Sequence, residues 1–140
     1  MEPTIISVQT MVNAPLDKVW DLWTSPAHIT RWNNASDDWH TPSATNDLRE
    51  GGKFSSRMEA KDGSMGFDFE GTYDLVIPGN KIEYTMSDGR KVIIEFSSSG
   101  NQTHIMETFD AERENPVDLQ RQGWQAIMDN FKKYAEQLPA

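Results

Sequence analysis

Apolar residues recur at two spacings along the chain, and the spacing changes where turn residues fall. Ile6, Val8, Thr10 and Val12 occupy alternate positions, which predicts a strand over residues 4–12 with one buried face. Leu16, Val19, Trp20 and Trp23 then follow at intervals of three and four, as on one side of a helix. Pro15 stands where a first helical turn tolerates a missing N–H. Ser25-Pro26 restarts the pattern, with Ser25 as N-cap and Pro26 as first helical residue of a short helix through Ile29 and Trp32. Residues 33–47 are polar and without period, and read as a loop.

Beyond Gly51-Gly52 the period becomes two. Phe54, Ser56 and Met58 alternate ahead of Asp62-Gly63, a two-residue hairpin signal. Phe67, Phe69, Gly71, Tyr73, Leu75 and Ile77 keep one parity up to Pro78-Gly79-Asn80. Ile82, Tyr84 and Met86 alternate up to Asp88-Gly89, and Val92, Ile94 and Phe96 up to Gly100-Asn101; Ile105, Glu107 and Phe109 close the series. Short turns cannot join parallel strands, so this run predicts an antiparallel meander. After it, Asn115 suits an N-cap, Pro116 a first helical position and Asp118 the positive end of a helix dipole. Val117, Trp124, Phe131 and Leu138 recur every seven residues, with Ile127, Met128, Tyr134 and Ala135 between them. That is one broad apolar stripe on a helix of roughly 22 residues. Such a stripe needs a partner, and the sheet is the one large apolar surface on offer. The expected fold is α+β, a helix-grip arrangement: a curved antiparallel β-sheet wrapped around a long C-terminal helix, with two short helices after the first strand.

Composition narrows the chemistry. The chain has 140 residues and a formal net charge of −9, without repeats or linker-like tracts, so one domain over residues 1–140 is expected. Leu, Ile, Val and Phe supply only 27 residues, a share that would raise suspicion of disorder in so charged a chain. Five Trp, seven Met and three Tyr restore the missing apolar volume. Cysteine is absent, which removes disulfides, thiol nucleophiles and thiolate zinc sites and suits a reducing cytoplasm. No stretch reaches the length of a membrane span, and Met1-Glu2-Pro3-Thr4 lacks the character of a signal peptide. An acidic balance disfavours nucleic acid as a partner, because phosphate neutralisation needs a Lys/Arg surface.

Chemistry-bearing residues are few. Glu107 shares parity with Ile105 and Phe109, so it points inward if they do, and a carboxyl there would have a raised pKa. The alternatives are a bulge that turns it outward, or a salt bridge at the rim to Arg57 or Lys53. His28, His40 and His104 show no metal-ligand spacing and read as surface residues; no metal site and no cofactor are expected. No serine sits in a nucleophile elbow, and Gly51-Gly52 leads into a strand where a phosphate loop needs a helix. The inward aromatic and Met positions carry more: Phe54, Met58, Phe69, Tyr73, Tyr84, Trp124, Met128 and Phe131 either fill a core or wall a cavity. Gly123, a costly residue inside a helix, implies either a close approach or space beside Trp124. The hydroxyls of Tyr73 and Tyr84 would need partners. Trp20 belongs to the core, Trp32 is a candidate lid, and Trp39 in the polar loop is either exposed or folded under that loop.

The order of these segments resembles the START-like superfamily of Bet v 1-type (SRPBCC) helix-grip domains, beginning with Ala14-Pro15-Leu16-Asp17-Lys18-Val19-Trp20 leading into Ser25-Pro26 and Trp32. Arg49-Glu50-Gly51-Gly52-Lys53-Phe54, Gly71-Thr72-Tyr73, Tyr84-Thr85 and Gln122-Gly123-Trp124 resemble its branch of homologues of the activator of the heat-shock-protein ATPase. The resemblance implies a cavity between the long helix and the sheet. It also implies three kinds of function: binding of a small hydrophobic or amphipathic molecule, cyclase/aromatase-like catalysis, or partnership with a chaperone in stress response. The first is the expectation, with Trp32, Phe54, Met58, Phe69, Tyr73, Tyr84, Glu107, Trp124, Met128 and Phe131 as ligand-binding residues. In the enzyme alternative Glu107 would be catalytic, with Tyr73 or Tyr84.

Overall fold

Turn residues and alternating apolar positions place six of the seven strands where the spacing predicts, and the computed structural model describes residues 4–138. β1 (Ile5–Val12) is followed by α1 (Leu16–Thr24) and α2 (Pro26–Trp32). Then come β2 (Trp39–Asn46), β3 (Lys53–Ala60), β4 (Gly66–Ile77), β5 (Lys81–Met86), β6 (Lys91–Ser99) and β7 (Gln102–Asp110), and α3 (Val117–Gln137) closes the chain. The seven strands form one antiparallel sheet in the order β1-β7-β6-β5-β4-β3-β2. The sheet curls into a half-barrel, with α3 against its inner face and α1 and α2 closing one end, the helix-grip arrangement.

Three expectations need correction. The polar stretch read as a loop contains β2, an edge strand paired to β3 with a shift in register between His40 and Ser43. Pro42 lies in that shift, where an edge strand tolerates a residue without an N–H. Trp39 therefore begins a strand, half-buried, with its ring 6.0 Å from that of Phe67. Second, β4 does not keep one parity: Tyr73 pairs with Tyr84 and Leu75 with Glu83, so Asp74 is an extra residue. Past this bulge Val76 packs on the core, while Ile77 is 43% exposed. Third, the N-cap of α3 is Pro116, with no side-chain cap; Asn115 lies one residue before it and donates its Nδ2–H to Glu112 Oε1. Ser25 holds its N-cap position through backbone geometry alone.

The interior is held by rings at two levels of α3. Phe131 is fully buried, its ring 4.8 Å from that of Trp23 and 4.9 Å from that of Trp32. Two turns earlier, Trp124 stacks on Phe109 of β7 at 3.8 Å and meets Phe69 of β4 edge-on at 6.1 Å. The stripe that predicts the helix thus anchors it at both levels, each aromatic pair adding about 0.5–1.5 kcal/mol beyond its burial.

The Asp74 bulge makes two isoleucines of the same hairpin unequal. Ile82→Ala should cost about 2–5 kcal/mol in urea unfolding, as for other buried truncations, whereas Ile77→Ala should stay within about 0.5 kcal/mol. Equal losses would mean that the parity continues unbroken.

Candidate functional site

Around the first part of α3 the helix and the sheet do not fill the space. A cavity of about 430 Å³ lies there, walled by residues of α1, α2, α3 and strands β2 to β7. Several local choices keep it open. Phe54 lies across Gly71, its cross-strand partner; a Cβ on Gly71 would come within 2.7 Å of that ring. Seated there, Phe54 meets Tyr84 edge-on at 4.7 Å and Tyr73 at 5.3 Å, so the three rings form one wall. Opposite, Gly123 of α3 borders the cavity, and a Cβ built on it meets nothing within 4 Å. Of the two readings of this glycine, space is the one observed. Phe67 and Leu119, 48% and 55% exposed, are also lining residues and mark where the cavity reaches the surface.

Polar groups on the lining are few. The Tyr73 hydroxyl donates to Asn46 Oδ1 at 2.5 Å, and Asn46 Nδ2 donates to the Thr24 carbonyl at 2.6 Å, tying β4 to β2 and to the end of α1. Burial pushes the Tyr73 hydroxyl well above its usual range, against the pull of that bond. Gln120 is buried and spends its amide on the loop before α3: Oε1 accepts from the Glu112 N–H, and Nε2 donates to the carbonyls of Glu112 and Asn115. Arg90 Nε donates to Asp88 Oδ2 at 2.8 Å.

Glu107 differs from all of these. It is 7% exposed and inward, between Val8 of β1 and Ile94 of β6 in the ladder, with no bulge to turn it out. The rim salt bridge does not form either, since Arg57 is engaged by Glu59 and Asp68. Among the described residues no side chain or backbone group hydrogen-bonds the carboxyl, nor the buried hydroxyl of Tyr84. Among the described residues no polar side-chain atom is both sealed from space and unpartnered, so the free oxygens front the cavity. Burial pushes the Glu107 carboxyl from an ordinary 4.5 up to about 8. Burial first, and then the nearby Glu107 charge, raises the Tyr84 hydroxyl further above its usual range.

Eight of the ten expected site residues line this space: Trp32, Phe54, Met58, Phe69, Tyr73, Tyr84, Glu107 and Trp124. Met128 and Phe131 do not; both face the solid core. Trp32 is a fixed wall rather than a lid, buried and donating its Nε1–H to the Leu22 carbonyl at 3.0 Å. Asn46, Ser56 and Gln120 were not expected as lining residues. Ser56 carries the same inward parity as Phe54 and Met58, the signal that would have found it. His28 is half-buried with Nδ1 2.6 Å from the Tyr134 hydroxyl, and His104 Nε2 is 2.8 Å from Gln9 Oε1. His40 lies 3.8 Å from Glu59. Among the described residues no three metal-ligating side chains gather, and no helix is long and apolar enough to cross a membrane.

Residues 13–136 match the model of the family described as activator of Hsp90 ATPase homolog 1-like protein. The chain belongs to that family. An AHSA1-like protein from Aeromonas hydrophila, solved in solution, is 44% identical, with a TM-score of 0.89 over 95% of this chain and 92% of its own. A solution structure from Cytophaga hutchinsonii is 53% identical, with a TM-score of 0.82 over 94% and 91% of the two chains. A crystal structure from Nitrosomonas europaea shares the fold at 18% identity, with a TM-score of 0.81 over 95% and 94%. No curated protein matches. The AHSA1-like family lies within the START-like superfamily, and its name ties it to activation of a chaperone ATPase.

Two substitutions test this geometry. Gly123→Ala should stabilise the protein by about 1 kcal/mol, because the helix gains propensity and the new methyl has room; a loss in thermal unfolding would mean close packing instead. Glu107 holds its proton more tightly in the folded state than in the unfolded chain. Its burial therefore costs nothing well below pH 4.5, costs more as the pH climbs toward about 8, and is constant above. The stability advantage of Glu107→Gln over the parent should widen by about 3–5 kcal/mol from roughly pH 5 to 9 in urea titrations. A pH-independent difference would place the carboxyl in water.

Proposed function

We propose that this protein binds a small hydrophobic or amphipathic ligand, without catalysis, in the cavity between sheet and α3. The observation that supports it is the cavity itself: about 430 Å³, mainly aromatic and aliphatic walls, and few polar groups. Small-molecule sites fall at roughly 300–1,000 Å³ with this division of surface. The space also follows from residues that hold it open. Gly123 supplies room where most residues would occupy it, and Gly71 lets Phe54 lie back against the sheet. A filled core would have favoured larger side chains at both places, since interiors are otherwise close-packed.

One feature favours the cyclase/aromatase-like alternative. Glu107, unpartnered and with its pKa at about 8, is poised to give or take a proton near neutrality. That reading would require Glu107→Gln to abolish turnover of a bound compound while leaving its binding intact. Chaperone partnership is a property of the family's name and would use the outer surface.

Native mass spectrometry of freshly purified protein should reveal a co-purifying small molecule. Adding that compound at a hundredfold excess over its Kd should raise Tm by roughly 5–10 °C. Gly123→Leu, which extends a side chain from the cavity's border, should remain folded and lose that shift. No co-purifying mass, together with identical responses of parent and Gly123→Leu to a panel of apolar compounds, would overturn the reading.

A further inference from the structure

The walls and charge of the cavity allow its ligand class to be narrowed, on the proposal that a ligand is held there. We infer that the ligand is an apolar amine, its ammonium group held against the Glu107 carboxylate and the faces of the surrounding aromatic rings.

Three independent observations converge. A buried carboxyl fronts the space with no hydrogen-bond partner among the described residues, and its neighbours in the ladder, Val8 and Ile94, are apolar. An unpaired acid in such a place is costly unless a cation or hydrogen-bond donor arrives to meet it. Next, the lining is rich in rings, with Phe54, Phe69 and Tyr84 in mutual contact and Trp124 joined to them through Phe69. Aromatic faces attract organic cations through the ring quadrupole, Trp and Tyr most strongly. Last, the charge balance rejects anions. Among the described residues the lining's one cation, Arg90, is already engaged by Asp88, so no free cation there awaits an anion, and the whole chain stands at −9. A fatty-acid carboxylate would enter against this field, whereas an amine is drawn by it.

The titratable and charged groups around the carboxyl are Tyr84 of β5, Tyr73 of β4, Arg90 of the β5–β6 turn and Glu112 of the loop before α3; β2, β3, β6 and the three helices present none to the cavity. Both tyrosines stay neutral, since burial raises them well above their usual range. In the free protein the carboxyl is mainly protonated below about pH 8. An alkylamine keeps its charge to about pH 10. Binding must therefore expel the Glu107 proton to solvent and form the ion pair. No other bond is made or broken.

Isothermal titration calorimetry with octylamine, octanol and octanoate, in buffers of different ionisation enthalpy, tests this. Octylamine should bind tightest and release close to one proton near pH 7 and none near pH 9. Its affinity should climb up to about tenfold per unit between pH 6 and 8. Glu107→Gln should weaken octylamine about tenfold or more, erase the proton release and leave octanol unchanged. Octanol or octanoate binding more tightly than octylamine would overturn the amine assignment while leaving the hydrophobic-ligand reading intact. Octylamine binding without proton release near pH 7 would overturn it too, on the unmodified protein. If none of the three binds, the amine assignment falls, and the co-purification experiment decides the broader reading separately.

Discussion

The seating of α3 on the concave sheet governs everything else in this molecule. Trp124 stacks on Phe109, and one full heptad later Phe131 enters the nest of Trp23 and Trp32. Rings this large hold a helix at a set height above a sheet, because close-packed aromatic contacts do not compress. Next to Trp124 the helix presents Gly123, while the sheet presents Ser56 on the cavity wall and Gly71 beneath the ring of Phe54, residues that leave the space unfilled. The cavity is thus a consequence of where large and small side chains fall along two facing surfaces. It needs no separate device to keep it open.

That geometry also explains the behaviour of Glu107. In a filled core an inward carboxyl would be intolerable, and on an open sheet it would be solvated. Here it sits on the wall of a cavity that opens to the surface, paying part of the desolvation penalty without gaining a protein partner. The strand could have placed any residue at this parity. A buried group that costs stability and engages nothing in the protein marks a candidate functional site.

Fold membership is broader than function. Proteins at 44% and 53% identity share the arrangement almost entirely, and the same fold persists at 18%. Architecture alone therefore does not set what a helix-grip protein does; the residues that line its interior do.

Much of the architecture was legible from local pattern. Period-two and helical spacing depend only on which residues are apolar, so β1, β3, β5, β6, β7 and the three helices could be read from the chain. The inward side of Glu107 followed from parity with Ile105 and Phe109, but parity could not tell whether Arg57 would reach it. β2 was illegible because its partner lies on one edge only and its residues are polar on both faces; pairing with β3, not hydrophobicity, makes it a strand. The Asp74 bulge inverts the parity of Val76 and Ile77 through the register with β5, which no single-strand pattern encodes. Met128 and Phe131 share a stripe with Trp124, yet one and two turns of helix carry them past the cavity into solid packing. Local spacing decides which face of an element turns inward. How far apart two inward faces come to rest, and so whether they enclose a core or a site, is decided only when large and small side chains from distant segments meet.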